Sequence, residues 1–101
     1  MKASQKLAPI HPGQVLKGVL HDAGVSANAA ALALRIPANR LTEIINGRRS
    51  ISADTAIRLG RYFGTSAQMW INLQAHYDLE IAEDASAERI GREVHPLQKS
   101  A

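Results

Sequence analysis

The chain has 101 residues, 46% of them apolar, no cysteine and a formal net charge of +3. This is a globular composition of single-domain length, and the missing cysteine excludes disulfides and thiolate zinc sites and suits a reducing cytoplasm. The charge is uneven: residues 1–70 hold nine Lys/Arg and three Asp/Glu (+6), residues 71–101 three and six (−3), so the basic body is expected to meet a polyanion.

Residues 1–10 show no periodicity and read as a flexible arm. They carry lysines but no apolar stretch of the kind a secretory signal needs, and no run in the chain approaches the roughly 20 apolar residues that span a bilayer. "HPGQVLKGVLHDAG" reads as a first helix, with Pro12 in the first turn, a stripe of Val15, Leu16, Val19 and Leu20, and Gly24 as its stop. Ser26 caps a second helix whose run Ala29–Ala33 has high helix propensity and little bulk. Ile36-Pro37 forces a turn, since the residue before proline is driven out of the α region, and Pro37 opens a third helix. There Leu41, Ile44 and Ile45 have helical spacing. Asn-Gly at positions 46 and 47 is a strong hairpin signal in isolation, but the residues before it lack period-two alternation, so Gly47 reads as the left-handed stop of this helix. Ser52 caps a fourth helix, with Asp54 in its first turn and Ala56, Ile57, Leu59 and Phe63 on its apolar face. Thr65 or Ser66 caps the fifth and longest helix, along which Trp70, Leu73 and Tyr77 recur. Apolar periodicity fades after Asp84, so residues 85–101 read as a flexible tail, with Pro96 ending any helix, and the folded domain as 11–84. The expectation is an all-α, compact five-helix bundle.

Residues 26–49 carry the functional signal. A short helix, a tight break, a second short helix, a glycine stop and two arginines make up the lambda-repressor-like helix-turn-helix plan, in which the second helix enters the DNA major groove. Ala31 stands where the two helices touch, and Leu34, Ile36, Leu41 and Ile44 fill the apolar positions.

Burial of Leu41, Ile44 and Ile45 turns Ala38, Asn39, Thr42, Glu43 and Asn46 outward, with Arg40 on the flank. Groove readout needs short or bidentate polar groups here. Asn39 suits adenine N6/N7, and Thr42 a base edge or a thymine methyl. Glu43 either accepts from cytosine N4 or pairs with Arg40 in the free protein. Arg40 reaches guanine or phosphate, and Ala38 leaves space for close approach. Arg48 and Arg49, in the loop behind this helix, are expected on phosphate together with Asn46. Ser26 at the start of its helix is expected there too, or acts as a cap alone.

Catalytic chemistry finds no support. His11, His21, His76 and His95 are scattered without metal-ligand spacing, Ser26 and Ser52 are explained as caps, and no nucleophile motif is present. Neither a metal nor a cofactor is expected.

Three segments in order, "HPGQVLKGVL", "LTEIINGRRSISADTAIRL" and "GTSAQMWINLQAHYDL", resemble the HigA/VapI-type antitoxins of the Xre helix-turn-helix class over about residues 10–81. The resemblance implies a five-helix fold, a homodimer, repression of the chain's own operon, and a HigB-type toxin partner that cleaves mRNA on ribosomes. Arg35 stands where the family usually has the turn glycine, Ala27 where glutamine is frequent, and Pro37 where Ser/Thr is common. The basic loop is kept as Arg48-Arg49.

A lone domain of this kind covers only about 600–1,000 Å² of DNA, so two copies on a pseudo-palindrome with half-sites about 34 Å apart are expected. Met69, Trp70, Leu73 and Tyr77 exceed what a small body needs to fill its core. They pack within their own domain or, as the resemblance favours, form the dimer seam, with Trp70 partly in the core. Toxin contact is expected on the arm and first helix or on the acidic stretch Asp78, Glu80, Glu83 and Asp84, which complements a basic RNA-binding toxin. A stand-alone repressor without a toxin and an adaptor binding only protein are the other readings.

Overall fold

The computed structural model describes residues 7–98. Five helices follow in order: α1 (Pro12–Ala23), α2 (Ala27–Leu34), α3 (Ala38–Ile45), α4 (Ala53–Phe63) and α5 (Ala67–Glu93). Among the described residues no helix is long and apolar enough to cross a membrane. Of the expected N-terminal arm, residues 1–6 lie outside the described part, and positions 7–10 form no helix.

Four of the five helices begin where a side chain meets their open N–H groups. Ser26 accepts from the Ala29 N–H at 3.1 Å, Ser52 from Thr55 at 3.2 Å and Ser66 from Met69 at 3.0 Å. Ser66 is thus the cap of α5. Thr65 instead accepts from the Trp70 indole Nε1 at 2.8 Å, satisfying the one polar atom of a ring with no exposed surface. α1 is capped by His11, whose Nδ1 accepts from the Gly13 N–H at 2.9 Å. α3 has no side-chain cap, since Pro37 occupies that place.

The core is one cluster drawn from every helix: Leu16 and Leu20 of α1, Ala30, Ala31 and Leu34 of α2, Leu41 and Ile44 of α3, Ala56 and Leu59 of α4, and Trp70 of α5, closed by Ile36 and Ile51. The small residues of α2 let α3 approach closely. α1 crosses the end of α3 so tightly that a Cβ on Gly13 would overlap the Ile44 carbonyl oxygen. That contact fixes α3 from behind and leaves its other face open.

The helix expected to end near Asp84 runs to Glu93, and the tail boundary at residue 85 is corrected accordingly. Apolar periodicity is not what sustains this stretch. It is rich in good helix formers such as Ala85, Ala87, Glu88 and Arg89, and i,i+4 pairs join Arg89 to Glu93 at 3.2 Å and Arg92 to Glu88 at 3.6 Å. The helix stops short of Pro96. Twenty-seven residues make a rod about 40 Å long, and only its first part is packed: Trp70 and Gln74 are buried, while Leu79, Ile81 and Ile90 are exposed.

Candidate nucleic-acid interface

The turn between α2 and α3 is held in a conformation that favours glycine. Arg35 has φ 61° and ψ 43°, the one positive φ at a non-glycine residue among those described. A left-handed residue with a Cβ costs roughly 1–2 kcal/mol, and two features offset it. The Ile36 N–H donates to the Ala31 carbonyl at 3.1 Å, and from α4 the Arg58 guanidinium donates to the Leu34 carbonyl at 3.0 Å. Asp54 steadies Arg58 at 2.6 Å. The angle between the two helices is therefore locked from α4.

α3 ends on a paired stop. The Gly47 N–H donates to Ile44 at 3.0 Å and the Arg48 N–H to Glu43 at 2.8 Å, with Gly47 at φ 77°. This is the Schellman arrangement, which ends the helix and turns the chain sharply. The Asn-Gly is a helix stop and not a hairpin. Arg48, Arg49 and Ser50 follow it at the surface, and Ile51 dives back into the core.

Ala38, Asn39 and Thr42 lie exposed on the outward face of α3, which also carries the half-buried Glu43, and Arg40 is half-buried on its flank. Asn39 has its amide open. The Thr42 hydroxyl is already committed as a donor, to the Ala38 carbonyl at 3.0 Å. It therefore faces outward as an acceptor and a methyl group, which narrows what it can touch on a base edge. Glu43 accepts from Arg49 Nε at 2.8 Å. Its partner in the free protein is thus Arg49, and not Arg40 as the sequence suggested. The same bond ties the Arg49 side chain back to α3. Among the described residues Arg48 has no such partner. Asn46 is exposed at the C-terminal end of α3, and Ser26 is exposed at the start of α2 while serving as its cap.

Of the apolar residues expected at a dimer seam, Trp70 is corrected. It is fully buried in the core and bonded to Thr65, so no part of it reaches a partner. The reason is the turn at Thr65-Ser66, which folds the first part of α5 onto α4. Met69, Leu73 and Tyr77 are half-buried, and Tyr77 leans edge-on against His11 with ring centroids 4.8 Å apart.

Three supports of this surface had no clear mark in the sequence. Gln74 is buried on α5; its side-chain oxygen accepts from the Ile51 N–H at 2.8 Å and its amide donates to Asp78 at 2.9 Å. Arg58 locks the turn. His11 is buried beside Gly47, where a Cβ on the glycine would lie 3.7 Å from its ring. Burial lowers the His11 pKa below the ordinary histidine value, and the nearby Asp78 carboxylate partly opposes the shift. The only local clue was "HPG", in which the proline marks a helix start and the residue before it must then cap.

A short helix with an open polar face, a locked turn before it and a basic loop behind it has the geometry of a major-groove reader. The Helix-turn-helix family model matches residues 21–70. Virulence-associated protein I of Dichelobacter nodosus is 48% identical over 79 residues, covering 77% of this chain and 73% of that protein. The structure of the Pseudomonas aeruginosa antitoxin HigA with the higBA promoter superposes with a TM-score of 0.86 at 47% identity, covering 89% of this chain and 99% of that one. Antitoxin GraA in complex with its operator superposes with a TM-score of 0.86 at 34% identity, over 98% and 99% of the two chains. The chain belongs to the HigA/VapI-type group of the Xre helix-turn-helix family.

Proposed function

We propose that this chain is the antitoxin of a HigBA-type toxin–antitoxin module in the cytoplasm. As a homodimer it binds a pseudo-palindromic operator of its own promoter, and it neutralises a cognate HigB-type toxin. The observation that carries this reading is the open polar face of α3 beside a basic loop, in a chain whose fold matches an antitoxin bound to promoter DNA over nearly its whole length.

Asn39 and Thr42 meet base edges, with Ala38 giving clearance and Arg40 at the flank. Arg48, Asn46 and the start of α2 at Ser26 hold phosphates. Met69, Leu73 and Tyr77, continued by the exposed apolar residues of the α5 rod, supply the seam between two copies; Trp70 supports that seam from the core. The half-sites are then spaced by the dimer and not by one domain.

The test joins two measurements. The chain is co-expressed with the product of the adjacent gene and purified, and the promoter of that gene pair is footprinted with the purified chain. A stable complex that no longer cleaves mRNA, together with a protected palindrome, is the expected result. A protected palindrome with no toxin partner would leave a stand-alone repressor. A complex without any footprint would leave an adaptor that binds only protein.

A further inference from the structure

We propose that Arg49 reads a guanine in the major groove and that Glu43 is the positioning residue that holds it there. The inference rests on the DNA-binding reading above and assigns a base to a residue that its place in the chain assigns to the backbone. Arg49 lies in the loop behind α3, where a free arginine would lie over phosphate. Its guanidinium is instead drawn back onto the sixth residue of α3, with Nε donating to Glu43 Oε1 at 2.8 Å. That position belongs to the helix face that carries Asn39 and Thr42.

The bond uses Nε and leaves the two terminal nitrogens of the guanidinium as a parallel pair of donors. Such a pair matches guanine O6 and N7. The side chain keeps 51% of its surface exposed, so the fork stays open. A lone carboxylate on this face would repel the polyanion, and pairing removes that penalty. Arg48 makes the contrast: among the described residues its side chain has no ion-pair or hydrogen-bond partner, and it stands exposed in the loop.

The experiment is selection from a randomised duplex library by the full-length chain, with sequencing of the bound pool, for the natural protein and for Arg49→Ala, Arg49→Lys, Glu43→Gln, Glu43→Ala and Arg48→Ala. Thermal melting confirms that each variant is folded. The natural chain is expected to enrich one position as guanine in each half-site. Arg49→Ala and Arg49→Lys should each lower that preference about tenfold or more while other positions persist, because lysine keeps the charge but not the fork. Glu43→Gln keeps an oxygen for Nε and should keep the preference; Glu43→Ala should weaken it. Arg48→Ala should lower affinity for all sequences alike. If Arg49→Ala acts uniformly and lysine restores binding, Arg49 holds phosphate and the inference fails. An unchanged guanine preference in Glu43→Ala removes the positioning role. Failure of the natural chain to enrich any sequence would sink the DNA-binding reading itself, an outcome separate from failure of a variant.

Discussion

The Ile51 N–H donates to the side-chain oxygen of Gln74 at 2.8 Å, joining two residues 23 apart in the chain. Ile51 is the first buried residue after the arginine loop, and Gln74 is buried on α5. Through this bond the end of the loop that holds Arg48 and Arg49 is fastened to α5. The second arm of Gln74 reaches Asp78, so no polar atom of the side chain is wasted in the core. Gln74→Leu keeps the volume but strands the Ile51 N–H. It is expected to cost about 1–3 kcal/mol, read by urea unfolding, and to weaken operator binding by loosening the Arg48 loop. Unchanged stability would show that the loop is anchored elsewhere.

His11 makes folding sensitive to acid. Its Nδ1 must be unprotonated to accept from Gly13, and burial lowers its folded pKa below the ordinary value of 6.5. A base whose folded pKa is lowered binds fewer protons in the native state. Its contribution is therefore complete above pH 6.5 and is lost as the pH falls below 6.5 and through the folded pKa. The ring faces Asp78 and the Tyr77 ring, and Gln14 and Lys17 line the same cleft. The chain should be less stable to urea at pH 5 than at pH 7.5. His11→Asn, whose amide oxygen also caps, should remove part of that difference. Equal pH dependence in the two proteins would rule His11 out as its source.

Arg35 stands in a left-handed turn that glycine enters without a Cβ clash. Arg35→Gly is expected to stabilise the chain by about 1 kcal/mol, the relief of strain exceeding the entropy that glycine adds to the unfolded state. Calorimetric melting measures it. A lower melting temperature would mean that the arginine side chain itself holds the turn.

Removing Arg58 attacks the same turn from α4. Arg58→Ala leaves the Leu34 carbonyl without its donor and is expected to cost about 1–2 kcal/mol. Operator affinity should fall with it, because the angle of α3 is no longer locked. A variant with full affinity and full stability would show that the turn bonds of α2 suffice.

At the interface, Asn39→Ala and Arg48→Ala should separate reading from holding. Asn39→Ala is expected to cost roughly 1–3 kcal/mol at one base-pair position and to relax preference there. Arg48→Ala should weaken all sequences alike and lower the salt slope by about one. Titrations against matched and single-substituted duplexes at several salt concentrations distinguish the two patterns, and a shift in base preference with Arg48→Ala would overturn its assignment to phosphate.

Local chemistry made the helices legible in the sequence. Ser26, Ser52 and Ser66 cap, Gly24, Gly47 and Gly64 stop, and the apolar spacing of Leu41, Ile44 and Ile45 settles which face of α3 is open. These signals act within about one helical turn, so the residues themselves carry them. The end of α5 was misjudged because charge pairs and alanine sustain that stretch without an apolar stripe. What only tertiary structure decided is how distant side chains divide the work. Trp70, expected partly in the core and partly at a seam, is wholly core, since the turn before α5 folds it against α4. Gln74 and Arg58 carry no mark in the sequence and hold backbone groups 23 and 24 positions away. Arg49 looked like a backbone clamp and is tied to Glu43 on the face of α3. Each of these roles depends on which unsatisfied polar group or open space a fold brings within reach, and no spacing along the chain encodes that.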